Sequence, residues 1–155
     1  MNGINEMKTE IETRDPLRVT GSPPVVCLCG STRFMDAFCA AGWELTLAGQ
    51  IVLSVGVCKH GGEAIGPEGA ERLDELHRRK IDLADWVLIL NCCGYIGEST
   101  DAEEKYAEYC GKHVRRLFPT EFCTTPPDAG QYPSWESIAE ATRETMSIAG
   151  YELTV

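Results

Sequence analysis

Residues 86–110 read WVLILNCCGYIGESTDAEEKYAEYC, where a continuous apolar run passes through a glycine-containing loop into a helical pattern. The run WVLIL, residues 86–90, predicts a strand that is buried on both faces and therefore central in a sheet. The residues after the loop recur at i, i+3, i+4 and i+7, which places on one helix face Glu103, Tyr106, Ala107 and Cys110. The stretch is thus a strand–loop–helix unit, and it is the unit from which the rest of the fold can be read.

Similar units stand on either side of this stretch. VVCLC (residues 25–29) and IVLSV (residues 51–55) predict two further strands, and HVRRLF (residues 113–118) predicts a charged edge strand. Helical spacing follows each of the first two, and Ser134 caps a last helix that ends at Gly150. Strands that alternate with helices pair in parallel through right-handed crossovers. We predict an α/β fold with a small doubly wound parallel sheet of four or five strands.

The composition divides the chain into two parts. Residues 1–24 are polar and interrupted by Pro and Gly, which indicates a flexible N-terminal arm, whereas residues 25–155 form a single α/β domain. The arm lacks the charged-then-apolar pattern of a signal peptide, and no apolar stretch is long enough to span a bilayer. We therefore expect a cytoplasmic protein without a membrane partner.

The charge balance restricts the class of ligand. The chain carries 24 acidic and 14 basic residues, for a formal net charge of −10. A nucleic-acid polymer requires a basic stripe that follows its phosphates, so DNA and RNA are not expected partners. A small phosphorylated ligand remains open, because one helix N-terminus and one Arg can hold it.

The eight cysteines are expected to be reduced thiols. Four of them fall within predicted strands and helices and are expected to be mostly buried as small hydrophobic residues: Cys27, Cys29, Cys39 and Cys110. A zinc site is the alternative, but no C-x-x-C pair occurs, so we predict no metal and no cofactor. Cys92 and Cys93 follow the central strand without an evident His partner, which argues against thiol catalysis or a redox role.

Glu103 is the candidate catalytic residue. Its helix face is otherwise suited to burial, so its carboxylate is expected at the rim of the sheet, whereas Glu104 and Glu108 are expected in solvent. A half-buried carboxylate near a helix N-terminus stays ionised, as a nucleophile or base requires. The alternative is a capping box over Thr100 to Glu103, in which the glutamate only closes the start of the helix.

Two turns are expected to bind substrate. Ligands of doubly wound sheets bind beyond the carboxyl ends of the strands, where the strand order reverses. GSTR places backbone amides and a guanidinium after the first strand, with these candidates: Gly30, Ser31, Thr32 and Arg33. The second turn is GYIGEST, which follows the central strand. The candidates here are Asn91, at the end of that strand, and Gly97, Glu98, Ser99 and Thr100. The alternatives are a simple capped turn for GSTR, a turn-forming role for Asn91 and a solvated charge for Glu98.

His77 is the second candidate catalytic residue. It lies on the sheet-facing side of a helix predicted from about Ala70 to Leu83, and it could orient or protonate a leaving group. A packed core histidine is the alternative. The Gly-rich stretch VCKHGGEAIGPEG before this helix, which contains His60, has the length of a mobile flap over a site. Asp85, directly before the central strand, is expected to be structural.

Three segments together carry a family resemblance. VCLCGSTRF, LHRRKIDLADWVLILNCCGYIGEST and EEKYAEYCGKHVRRL resemble the nucleoside 2-deoxyribosyltransferase-like superfamily, over about residues 25–118. The resemblance implies a flavodoxin-like, Rossmann-like sheet and base recognition near the first strand–helix turn. It also implies homo-oligomers whose subunits complete one another's sites. The family nucleophile precedes Tyr-Ala by three residues and attacks the anomeric carbon, and here that position is Glu103.

The sequence also departs from the family pattern. His77 stands where these transferases keep an Asp that orients the base, and Gly97 stands where an Asp precedes the nucleophile by six residues. GSTR replaces an aromatic-lined pocket and suits a phosphate better. These differences favour hydrolysis of the N-glycosidic bond of a nucleoside or nucleoside 5′-monophosphate over base exchange between free nucleosides. The alternative function is a nucleotide-binding or sensing module of the same fold without turnover.

Overall fold

Four parallel strands form one sheet at the centre of the protein. The computed structural model describes residues 23–56 and 65–150. The strands are β1 (Val25–Cys29), β2 (Ile51–Leu53), β3 (Trp86–Ile89) and β4 (His113–Arg116), in the order β2-β1-β3-β4. All three pairings are parallel, and β4 is at an edge. The predicted α/β fold and the central position of WVLIL are confirmed. Most of the predicted arm and His60 of the predicted flap lie outside the described residues.

Four helices cover the two faces of the sheet. They are α1 (Met35–Leu47), α2 (Pro67–Leu83), α3 (Glu98–Tyr109) and α4 (Trp135–Ala149). Helices α1 and α4 contact each other and share one core cluster with the sheet, whereas α2 and α3 share the other. This division follows from right-handed crossovers, because the chain moves outward from β1 to β2 and then returns past β1 to β3. The strand order therefore reverses between β1 and β3.

The alternation of side chains along β1 assigns residues to the two cores. Val26 and Leu28 pack in the cluster under α1 and α4, and Cys27 and Cys29 pack in the cluster under α2 and α3. All four are completely buried. The period of two in a strand thus brings both thiols to the face that α2 covers.

The ends of the helices follow local sequence in some places and tertiary context in others. Ser134 caps α4 by accepting a hydrogen bond from the Ser137 N–H, and Gly150 ends this helix with φ of 77°, as predicted. Helix α2 begins at Pro67 rather than near Ala70, because proline is favourable in a first turn. None of the described helices has the length and apolar content to cross a membrane.

The capping box predicted for Glu103 is wrong. Helix α3 begins at Glu98 with Gly97 as its cap residue, so Thr100 lies inside the first turn and is buried. The Asp101 N–H donates to the Gly97 carbonyl at 2.9 Å and forms the first helical bond. Glu103 is therefore one turn too far along the helix to close its start.

Candidate active site

A cavity of about 550 Å³ opens at the carboxyl ends of β1 and β3. It is lined by the turn after β1, by α2 and by the first turns of α3. This is the crevice where parallel sheets of reversed strand order bind their ligands, and its volume lies within the range of small-molecule sites. Among the residues predicted for the site, those that line this cavity are Gly30, Ser31, Thr32, His77, Gly97, Glu98, Ser99, Thr100 and Glu103.

Glu103 lies at the inner wall of this cavity. Its side chain is 16% exposed, and its Oε2 is 3.7 Å from Nε2 of His77. Burial raises the pKa of Glu103, whereas the charge of His77 opposes this rise. The carboxylate is thus half withdrawn from water, within reach of one cationic group and open to a ligand.

His77 is buried in the wall between the cavity and the sheet. Its Nε2 atom lies 3.2 Å from Sγ of Cys29 and 3.9 Å from Sγ of Cys27, besides its approach to Glu103. Burial lowers the pKa of His77, but the hydrogen bond with Cys27 and the charge of Glu103 more than offset that effect, so the pKa is raised. One nitrogen of His77 therefore faces three acceptor or donor groups at once.

The two thiols beside His77 differ in their electrostatics. The hydrogen bond from Cys29 lowers the pKa of Cys27 to about 6, with a further contribution from His77 and against the effect of burial. For Cys29, the hydrogen bond to Cys27 and burial both raise the pKa well above its usual range. Thiolate character is thus concentrated on Cys27. A Cys–His contact exists in this protein, although not at the cysteines that follow the central strand.

Four other cysteines lie in different environments: Cys92, Cys93, Cys39 and Cys110. Burial raises the pKa of Cys92 to about 12, and the Cys93 thiol donates to the Gln131 carbonyl at 3.2 Å. Cys39 and Cys110 are exposed, so the expectation that they are buried is wrong. Cys39 lies on the outward side of α1, and Cys110 directly follows the last residue of α3.

Glu104 differs from its sequence-based prediction. It is 7% exposed rather than solvated, because its carboxylate accepts two hydrogen bonds from the Arg116 guanidinium, at 2.8 and 3.0 Å. This bidentate pair joins α3 to the edge strand β4. The charge of Glu104 is therefore compensated within the fold, and Glu104 lies outside the cavity.

A second contact fixes the far end of α3 against α2. The Tyr106 hydroxyl donates to Oδ1 of Asp82 at 2.6 Å, and the Lys112 ammonium donates to the Asp82 carbonyl at 3.0 Å. Asp85 accepts the Val25 N–H at 2.8 Å and so is structural, as expected. These bonds hold the helix that carries Glu103 in register with the helix that carries His77.

The turn after β1 brings backbone close to the neighbouring strand. A Cβ atom on Gly30 would lie 3.1 Å from Cβ of Leu90, so glycine permits the ends of the two strands to approach. Ser31 caps a single 3-10 turn and also accepts from Nε of Arg33 at 3.0 Å. The Arg33 guanidinium stacks on the Tyr95 ring with 5.0 Å to the centroid. Arg33 thus lies beside the cavity rather than in its lining.

Asn91 does not reach the cavity. It is completely buried, and its amide donates to the carbonyls of Phe118 and Glu121 while its oxygen accepts the Phe118 N–H. The side chain joins the loop after β3 to the loop after β4. Its hydrogen-bonding groups are occupied by backbone, so we exclude it from the proposed ligand-binding residues.

Three residues near this site were missed from the sequence. Lys80 lines the cavity one turn beyond His77 and donates to the Ser54 carbonyl at 2.7 Å. Cys27 and Cys29 approach His77, and these three side chains form a group that could hold a metal ion. The signal for the thiols was a C-x-C spacing inside a strand, which puts both on one face.

Comparison with known proteins gives limited information. The sequence matches no protein-family model and no curated protein. A solved structure of a 2-deoxyribosyltransferase from the psychrotolerant bacterium Bacillus psychrosaccharolyticus is similar, with a TM-score of 0.46 and 16% sequence identity. The match covers 74% of this chain and 90% of that chain. The similarity is distant, and the chemistry of the site rests on its own residues.

Proposed function

We propose that this protein is an N-glycosidase that acts on a nucleoside or a nucleoside 5′-monophosphate, with Glu103 as the nucleophile. The observation that carries the proposal is the carboxylate of Glu103 in the cavity wall, 16% exposed and 3.7 Å from His77, where the strand order reverses. An anionic group in a largely dehydrated wall is suited to an oxocarbenium-like transition state, because positive charge develops on the sugar there.

The reaction proceeds by displacement at C1′. A Glu103 oxygen bonds to C1′ while the bond to the base nitrogen breaks, and the electron pair leaves with the base, which takes a proton from water or His77. Water then attacks C1′, the bond from C1′ to the Glu103 oxygen breaks, and the proton that the water loses replaces the one given to the base; a second base in place of water would give transfer. Water is the better proton source, since Nε2 of His77 already faces Glu103 and Cys29.

The remaining cavity residues suit the sugar and its phosphate. The turn of Ser31 and Thr32 and the first turn of α3 offer hydroxyls and backbone amides on either side of the cavity. Lys80 adds an ammonium whose hydrogen bond to Ser54 leaves further donors for a phosphate oxygen. We propose the 5′-phosphate as a recognition element for these groups.

The rival function is a nucleotide-binding module without turnover. Its main support was the assignment of Glu103 as a helix cap, and α3 begins too early for that role. A binding module would show ligand-induced melting shifts without release of base. Release of free base therefore distinguishes the enzyme from the binding module.

The test compares base release by two glutamine variants. Wild-type protein is incubated with paired nucleosides and 5′-monophosphates, and free base is measured by chromatography. We expect Glu103→Gln to lower the rate at least about 100-fold, the scale on which one transition-state electrostatic contact acts. Glu108→Gln is the matched control, because Glu108 is exposed on the same helix and outside the cavity. Base release by Glu103→Gln at the wild-type rate would overturn the proposal.

A further inference from the structure

Three metal-binding groups meet behind the inner wall of the cavity. The Sγ atoms of Cys27 and Cys29 and a ring nitrogen of His77 lie within 4.8 Å of one another, and all three residues are buried. The carboxylate of Glu103 approaches the same His77 nitrogen from the cavity side, at 3.7 Å. We propose that Cys27, Cys29 and His77 bind one zinc ion, with a fourth coordination position on the side of Glu103.

The separations fit tetrahedral coordination. Bonds of about 2.3 Å to sulfur and about 2.0–2.1 Å to nitrogen place the sulfur and nitrogen of a tetrahedral zinc site about 3.6 Å apart. The two sulfur–nitrogen separations here are 3.2 and 3.9 Å, on either side of that value. Shifts of a few tenths of an ångström would make both distances suitable.

The arrangement also brings three groups that can coordinate a metal to one nitrogen of His77. Nε2 of His77 carries one hydrogen at most, yet it faces Cys27, Cys29 and Glu103 together. A metal ion at this point would contact the two sulfur atoms and the His77 nitrogen at once.

The charge of the site suits a divalent ion in an apolar environment. Zinc binds both cysteines as thiolates, and the two thiolates neutralise Zn²⁺. The surrounding cluster is apolar and includes Ile81, Val87 and Ile89, where an uncompensated charge would be costly. Two soft thiolates and an imidazole favour Zn²⁺ over Mg²⁺ or Ca²⁺, which prefer oxygen ligands.

Rigid elements hold the three ligands before any ion binds. Cys27 and Cys29 are alternate residues of β1, which is paired on both sides, and His77 projects from α2 across the same sheet face. Three protein ligands with a fourth position towards a cavity are the arrangement of an open zinc site. The inference goes beyond the proposed function and does not rest on it.

The experiment measures cobalt and zinc binding to the full chain, freed of metal with a chelator and kept reduced. We expect one equivalent of Co²⁺ to produce the intense charge-transfer absorption of thiolate coordination, and Zn²⁺ to displace it. Cys27→Ala and Cys29→Ala should each weaken binding more than about 100-fold, beyond the loss typical of an outer-shell partner. Glu103→Gln should keep the thiolate signal, since the three ligands remain.

Two matched control variants test whether other cysteines supply the thiolate signal. Cys92→Ala removes a buried cysteine from the other core cluster, and Cys123→Ala removes one whose thiol donates to the Thr125 carbonyl; both should retain wild-type affinity. Circular dichroism of each metal-free variant checks that it is folded, and the wild-type spectrum is decisive even if a variant unfolds. Absence of thiolate absorption with wild-type protein, or its persistence in both folded Cys27 and Cys29 variants, would overturn the proposal.

Discussion

Two adjacent glutamates on α3 show how the position of one residue decides the role of a carboxylate. Glu104 is buried and paired through both oxygens with Arg116, whereas Glu103 lines the cavity and lies 3.7 Å from His77. A helical step of about 100° turns the two side chains towards different neighbours. Glu104 can therefore stabilise the fold while Glu103 remains available for a ligand.

The Glu104–Arg116 pair is expected to contribute measurably to stability. Arg116→Met should lower the free energy of unfolding by about 1.5–3 kcal/mol, because it leaves a buried carboxylate without its charged hydrogen-bond donor. Urea denaturation measures the loss. The double variant Arg116→Met/Glu104→Leu should recover part of it, since the orphaned charge is then removed. Equal stability of wild-type protein and Arg116→Met would contradict this account.

At the scale of elements, the start of α3 is set by two loops that bind each other. The loop after β3 contains Cys93 and Gly94 with φ of 55° and 73°, and Cys123 exchanges backbone hydrogen bonds with Gly94 and Ile96 at 2.7 and 3.0 Å. Asn91 joins the same loops through its side chain. These contacts hold the start of α3, whereas the Tyr106 bond holds its far end. The position of Glu103 thus depends on both.

Asn91 is expected to act on stability rather than on ligand contact. Asn91→Ala should lower the free energy of unfolding by about 2–4 kcal/mol, because it removes three part-buried hydrogen bonds to the backbone of Phe118 and Glu121. Asn91→Asp should cost at least as much, because it buries a carboxylate oxygen against the two carbonyls that the amide contacts. Chemical denaturation measures both. If the Asn91→Ala protein had wild-type stability but bound nucleotide more weakly, Asn91 would instead be a ligand-binding residue.

Local sequence determined the elements better than the contacts between them. Ser134 and Gly150 mark the ends of α4 through their own backbone and side-chain chemistry, so they could be predicted without tertiary information. The meeting of Cys29 with His77 depends on how α2 rotates against β1. The same rotation leaves Leu76 54% exposed, although the adjacent His77 is buried. Helical period alone does not specify which edge of an apolar face the sheet covers.

At the scale of the whole molecule, one edge of the sheet remains apolar. Trp43 and Leu47 are one helical turn apart on α1 and are 58% and 56% exposed, and Ile51 at the start of edge strand β2 is 45% exposed. The net charge of −10 keeps copies of the chain apart unless apolar contact compensates. Exposed aromatic and aliphatic side chains beside an edge strand are typical of a surface that another chain covers.

We expect this surface to bind a second copy of the chain, because the exposed apolar side chains would then be buried. Trp43→Glu/Leu47→Glu should convert the wild-type oligomer to a monomer, because it adds two carboxylates per subunit to a contact that apolar burial would stabilise. Size-exclusion chromatography with light scattering measures the mass. Tyr109→Glu is the control, since Tyr109 is 90% exposed on α3 and should leave the mass unchanged. A wild-type monomer, or dissociation by the Tyr109 variant alone, would place no interface at this edge.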